Sequence, residues 1–153
     1  MELQEQGLKI TGDVNLKVFA EDGSLKEERQ IKNLVVTVGK NYIANRMQSN
    51  SVQSVMNTMA IGTNSATPAV GNTTLGVEAG RVALASFSAS GNQVTATATF
   101  PAGTGTGAIT EAGIFNPSSA GASGGNMLCR TTFPVVNKAA GDSIAVTWVI
   151  TVS

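Results

Sequence analysis

The sequence predicts an all-β protein. It reads as an antiparallel β-sandwich, jelly-roll or immunoglobulin-like, of about eight strands with one short helix near residues 39–48. Three observations carry this. Residues 143–153, SIAVTWVITVS, alternate strictly, with Ile144, Val146, Trp148, Ile150 and Val152 on one side. That two-residue period marks a half-buried strand. Turn-forming stretches, Asp22-Gly23 and Ser90-Gly91-Asn92, separate short β-prone runs. Only 13% of the 153 residues are charged, about half the usual share, and 17 glycines stand among many Ser, Thr and Ala residues.

The elements follow in order. Leu8, Ile10, Val14, Leu16 and Val18 are even-numbered and define a first strand, with an irregularity expected at Gly12-Asp13. Asp22-Gly23 turns the chain into a return strand. There Leu25 and Ile31 are apolar, and Lys26, Glu28, Gln30 and Lys32 face water. Residues 33–48 change period: Tyr42, Ile43, Arg46 and Met47 recur at helical spacing, with Thr37 or Gly39 as the start. Residues 49–54 break that helix. Residues 55–64 read as a strand ending at Gly62, and 65–80 as a long Gly- and Pro-containing connection, functional or covered by a neighbour. Residues 81–100 read as one hairpin, in which Val94, Ala96, Ala98 and Phe100 alternate with Thr95, Thr97 and Thr99. Residues 116–126 form a flexible tip, 127–133 a strand, and 143–153 the last strand.

The length suits one domain, 1–153, with a charged N-terminal hairpin at about 8–32. Residues 1–46 hold seven acids and seven bases, and the remainder only six charges. A weakly charged, net-neutral chain favours a subunit that meets neighbours over a free-standing soluble protein. Balanced charge leaves no basic footprint for nucleic acid, and no apolar run approaches a membrane span. The N-terminal residues carry no apolar signal core, so synthesis in a host cytoplasm is expected.

Chemistry-bearing residues are scarce. There is no histidine, which removes the commonest general base and metal ligand. Cys129 is the single cysteine, has no histidine to activate it, and reads as a buried, inert thiol. Asp13, Asp22 and Asp142 sit beside glycines and read as turn formers rather than cation ligands. Asn72-Thr73-Thr74 fits a glycosylation acceptor, which means little without a secretion signal. Tyr42, Trp148 and the phenylalanines do not interleave with basic residues, so no base-stacking platform is expected.

The stretch AGTGTGAITEAGIF, residues 102–115, is the one place that invites a phosphate-loop reading. Gly103, Gly105 and Gly107 lie at spacing two and two, not G-x-G-x-x-G, and a strand-like run follows instead of a helix. The stretch therefore reads as a glycine-rich connection. Glu111 lies within the apolar run that follows. It is read as outward-facing or as an ion-pair partner of Arg130 or Arg81, within the sandwich or across a subunit boundary. A sugar hydrolase would need two carboxylates at a fixed separation, and only Glu78 and Glu111 offer themselves. No catalytic, cofactor-binding or metal-binding residue is assigned, no cofactor is expected, and the chain is read as not an enzyme.

The pieces VVTVGKNYIANRM, MAIGTNSATPAVGNTTLGVEAGRVAL and AGTGTGAITEAGIFN, and the run from GGNMLCRTTFPVVNK to the final strand, resemble a family of small tailed-phage virion proteins. The similarity runs from about residue 33 to the C-terminus, with ITEAGIFN and RTTFPVVNK the most specific parts. The resemblance implies a structural role in the virion, leading with a capsid decoration (cement) protein that binds the major capsid protein and stabilises the mature shell. The alternative is a tail-fibre, baseplate or neck-associated module contacting other tail proteins, a receptor- or glycan-binding role included. For that role only Phe100, Phe115 and Phe133 lie near loop-rich segments. A homo-oligomer, trimer or dimer, is expected, with no nucleic acid and no membrane as partner.

Overall fold

A computed structural model describes residues 7–48, 53–116 and 125–153. The expected helix break at 49–54 and flexible tip at 116–126 lie largely outside the described residues. The described chain forms ten strands and one helix: β1 (Ile10–Phe19), β2 (Leu25–Lys32), β3 (Leu34–Val35), α1 (Thr37–Arg46), β4 (Thr58–Gly62), β5 (Glu78–Ala83), β6 (Ser86–Ser90), β7 (Gln93–Phe100), β8 (Gly107–Phe115), β9 (Met127–Lys138) and β10 (Ser143–Val152). They build two five-stranded antiparallel sheets. Sheet A has the order β2-β1-β10-β7-β6 and sheet B the order β3-β9-β8-β4-β5. The antiparallel sandwich expected from sequence is the observed class.

The core lies between the sheets, and its order follows from the register. Val14 pairs with Trp148, which pairs with Ala96. Leu16, Val146 and Ala98 form the next row, and Val18, Ile144 and Phe100 the next. The wide indole is thus flanked by alanine. Large beside small is how a pleated face fills space without voids. Sheet B answers with Met59, Ile61, Ile109, Ala112, Ile114, Cys129 and Val136, all fully buried.

Several expectations change. The irregularity forecast at Gly12-Asp13 is absent, since β1 runs in unbroken register with β10 there; the slip lies at Val18/Phe19 against β2. Gly12 is small because the Asn33 side chain occupies the space its β-carbon would enter. Asp13 is a strand residue whose carboxylate takes Lys32, not a turn former. Leu25 is 52% exposed, since the register shift at Val18/Phe19 sets it opposite Phe19, off the alternation that turns Glu27, Arg29 and Ile31 inward.

The helix starts at Thr37, and residues 34–35 before it form β3 on the edge of β9. Its packed face is Gly39 and Tyr42, not Met47, which is 84% exposed. At Gly39 a β-carbon would stand 2.1 Å from the Leu128 carbonyl oxygen, so only glycine lets the helix lie on β9.

The largest departure is at 81–100. The run RVALASFSA is not one strand: β5 belongs to sheet B, and after Leu84-Ala85 the chain crosses to sheet A as β6. No glycine or proline marks that crossing. β9 also continues past residue 133 to Lys138, passing Pro134 at a register shift against β8. A missing N–H is tolerated at such an irregularity.

Because Leu16 is fully buried in a filled row, Leu16→Ala is expected to lower unfolding free energy by about 2–5 kcal/mol. Leu25→Ala on the exposed edge should stay within about 0.5 kcal/mol. Urea denaturation of the two variants checks both.

Candidate functional site

The built polar site of this protein lies on the outer face of sheet B, where residues 63–77 cross the sheet as a strap. Alternation along β8 decides what lies beneath it. Ala112 and Ile114 point into the main core, so Glu111, Gly113 and Phe115 point outward. On β9, Arg130 stands directly across from Gly113, diagonal to Glu111. Diagonal outward neighbours on adjacent antiparallel strands are within reach of long side chains.

Glu111 is fully buried and Arg130 is 3% exposed. Arg130 donates from Nε (3.0 Å) and Nη2 (2.9 Å) to Glu111 Oε2. The strap supplies the other donors. Gly76 N–H donates to Oε2 at 2.9 Å, and Val77 and Asn64 N–H groups donate to Oε1 at 2.8 and 3.2 Å. Five N–H groups therefore meet one carboxylate. Arg130 uses Nη1 to reach the Ala66 carbonyl at 3.0 Å and Asn72 Oδ1 at 3.2 Å. The same Asn72 oxygen accepts from Ala69 N–H at 2.8 Å. The pair is held from both ends of the strap.

Close approach is possible because the sheet is bare below. A β-carbon on Gly62 would lie 2.3 Å from the Val77 carbonyl oxygen and 2.5 Å from Glu111 Oε1. Gly113 leaves room for the Leu75 side chain, which seals a second small core with Val36, Ala60, Phe115 and Met127. The strap also reaches the helix: Thr37 N–H donates to the Val70 carbonyl at 2.8 Å. This satisfies one of the free N–H groups of a helix start that has no side-chain cap.

The other late charges have similar duties. Glu78 pairs with Arg81 at 2.7 Å, and the Arg81 guanidinium lies 4.1 Å from the centre of the Phe115 ring. Asp142 accepts from Ala139 N–H and from Lys26, closing the turn between β9 and β10. Those bonds hold its carboxyl below the ordinary range, the Lys26 hydrogen bond being the largest cause. Lys138, 1% exposed, donates to the Pro101 carbonyl at 2.9 Å. Burial pushes its ammonium pKa down, and the Asp142 charge opposes this.

The remaining candidates fall into place. Of the two partners offered for Glu111, Arg130 is the one it takes. Glu78 and Glu111 are each held by their own arginine. Cys129 is buried, and desolvation drives its thiol pKa upward, away from the reactive thiolate. Asp22 accepts from the Ser24 N–H and hydroxyl, as a turn former does. Asn72 serves the strap. Phe100, Phe115 and Phe133 are buried, so they give the loops no exposed aromatic cluster. Gly103, Gly105 and Gly107 have positive φ, and Gly105 packs on Ile61 and Gly80 as a plug between strands. Among the described residues no three His, Cys, Asp or Glu side chains converge, and no helix is long and apolar enough to cross a membrane. What sequence reading missed is the strap itself. Its signal was faint: glycines at 62, 76 and 113 near an isolated acid and an isolated arginine.

Compared with protein-family models, with curated proteins and with solved structures, the chain finds no match in any of the three.

Removing either member of the buried pair leaves the other charge stranded. Glu111→Gln or Arg130→Met is expected to destabilise the fold by about 3–5 kcal/mol. The double variant should lose markedly less than the sum of the two, as measured by a double-mutant cycle in urea. Hydrogen exchange should rise first in residues 63–77.

Asp142 gives a pH signature. Its folded pKa is depressed below the ordinary 3.8, so below that value the unfolded chain binds the proton first. The stability it contributes is present above pH 3.8 and is lost as pH falls through the folded pKa. Asp142→Asn should therefore flatten the acid side of the stability curve relative to wild type.

Proposed function

We propose that this chain is a non-enzymatic structural protein of a tailed-phage particle, and within that class a decoration subunit of the mature shell. The observation that carries the reading is the use made of its charged residues after position 46. All six are engaged in holding the chain to itself. The one fully buried acid is surrounded by five N–H donors, an arrangement that serves anchoring rather than proton transfer. The resemblance of residues 33 onward to small phage virion proteins points the same way.

A decoration subunit acts by adding contacts that exist only in the assembled shell. Binding to that state and not to its unfolded or immature forms stabilises it by linkage. A strap fastened to its own sheet suits the task, since a surface fixed in advance loses little conformational entropy on docking. The outer side of the strap carries Val70 and Val77, each about half exposed, which gives a shell a pair of apolar contacts. The inner side is occupied by sheet B, so the long connection needs no neighbour to cover it.

The test is the molar ratio of this protein to the major shell protein in purified virions, measured by quantitative mass spectrometry. A ratio near a simple fraction of the shell count is expected. A few per cent or less would move the protein to the tail, baseplate, neck or fibre. Absence from the particle would overturn the virion reading altogether.

A further inference from the structure

We propose that β6 is a homodimerisation edge: it pairs with β6 of a second copy of this chain, antiparallel, about a twofold axis through Ser88. Four observations lead there.

The first is exposure. All five residues of β6, Ser86 to Ser90, are exposed, and β6 ends sheet A. An unpaired strand edge presents a row of free N–H and C=O groups, which natural proteins guard. The other edges are guarded. β2 carries Lys26, Glu27, Glu28, Arg29 and Lys32, and Glu27 and Arg29 bond to the backbone of β9. β3 has two residues, and β5 carries the Glu78–Arg81 pair.

The second is charge. No charged residue stands between Arg81 and Glu111, so β6, its turn and β7 are wholly uncharged. A twofold copy meets no like charge. A basic or acidic partner strand would meet no complement, which makes a second copy the better occupant.

The third is hydrogen-bond parity. Ser90 and Gln93 flank a two-residue turn whose Gly91 has φ of 58°, the first-position glycine of a type II′ hairpin. In such a hairpin the flanking residues are a hydrogen-bonded pair, and pairs alternate from there. Ser86, Ser88 and Ser90 therefore turn their backbone polar groups towards β7. Phe87 and Ala89 turn theirs to the open edge. With the axis at Ser88, Phe87 falls opposite Ala89 of the copy as a hydrogen-bonded pair, and Ser88 opposite Ser88.

The fourth is shape. Phe87 lies on the face that looks towards sheet B, across from Ala96, yet it is 38% exposed. Beside it runs an apolar groove of about 640 Å³, lined among others by Tyr42, Ile43, Val55 and Leu84. The pairing sets a large ring against a methyl group in both halves, and serines against serines, so the strand is complementary to itself. Five residues give a short ladder, and the expected dimer is of micromolar order, since area alone does not set affinity. The inference concerns the isolated chain and stands or falls apart from the virion reading.

The test is sedimentation velocity of the full chain and two edge variants over about 1 to 300 µM, a range that brackets a micromolar constant, with two cysteine variants for crosslinking. Wild type should show a reversible dimer. Ser88→Lys sets two ammonium groups across the axis, and Ala89→Pro removes an edge-facing N–H without touching the β7 ladder. Both should stay folded by circular dichroism and lose at least about tenfold in dimer affinity. Ser88→Cys should form a disulfide with its copy under mild oxidation. Non-hydrogen-bonded antiparallel partners have Cα atoms about 4.5 Å apart, within disulfide reach. Ser86→Cys alone should not, because residue 86 faces residue 90 of the copy. A wild-type monomer throughout that range would overturn the proposal. So would a dimer that survives Ser88→Lys and Ala89→Pro, or equal crosslinking at 86 and 88.

Discussion

The buried ion pair between Glu111 and Arg130 is the constraint on which the outer half of this molecule depends. Two charges taken from water are destabilising unless nearly every lone pair and N–H finds a partner. Here the partners are mostly backbone groups of residues 64–77, so satisfying the pair and fixing the strap are one event. Once the strap is down, Leu75 closes the small core over Phe115 and Met127, and the Val70 carbonyl meets the start of α1. A long connection of small residues would otherwise have little reason to adopt one path.

The two sheets are joined at both flanks by short crossings, β2 to β3 and β5 to β6. These crossings leave the flanks chemically unlike. On one, the charged side chains of β2 reach over to β9, and the edge is closed to further pairing. On the other, sheet A extends past its partner as an uncharged serine-rich strand, with an apolar groove alongside. A single subunit with one guarded and one open flank has a direction for self-association. Strap and open edge belong to different sheets, so the proposed shell contact and the proposed dimer contact need not compete.

Few charges, closely used, unite these features. In a chain with so little charge, an isolated acid or base is seldom a solvated decoration. Glu78 and Arg81 brace an aromatic ring, Glu111 and Arg130 hold the strap, and Asp142 closes a turn beside Lys138. Outside the charged N-terminal segment, the exposed surface is largely Ser, Thr, Ala and Gly, which can lie against another protein without desolvating ions.

Sequence by itself determined the class of fold and most of its strands. Alternation is a local property: Ile144 to Val152 and Val14 to Val18 show it, and the structure pairs these strands side by side in sheet A. It also narrowed Glu111 to an outward-facing residue or an ion-pair partner of Arg130 or Arg81, because so few bases remain in that part of the chain. Which arginine, and what else the carboxylate holds, only the tertiary structure decided. The donors come from residues 47, 35 and 34 positions away, and register between β8 and β9 places Arg130 within reach. The split of residues 81–90 into two sheets was equally hidden. A strand's local pattern reports that one face is buried, and not which sheet buries it. That assignment depends on pairing energies between distant strands, which no short window of sequence contains.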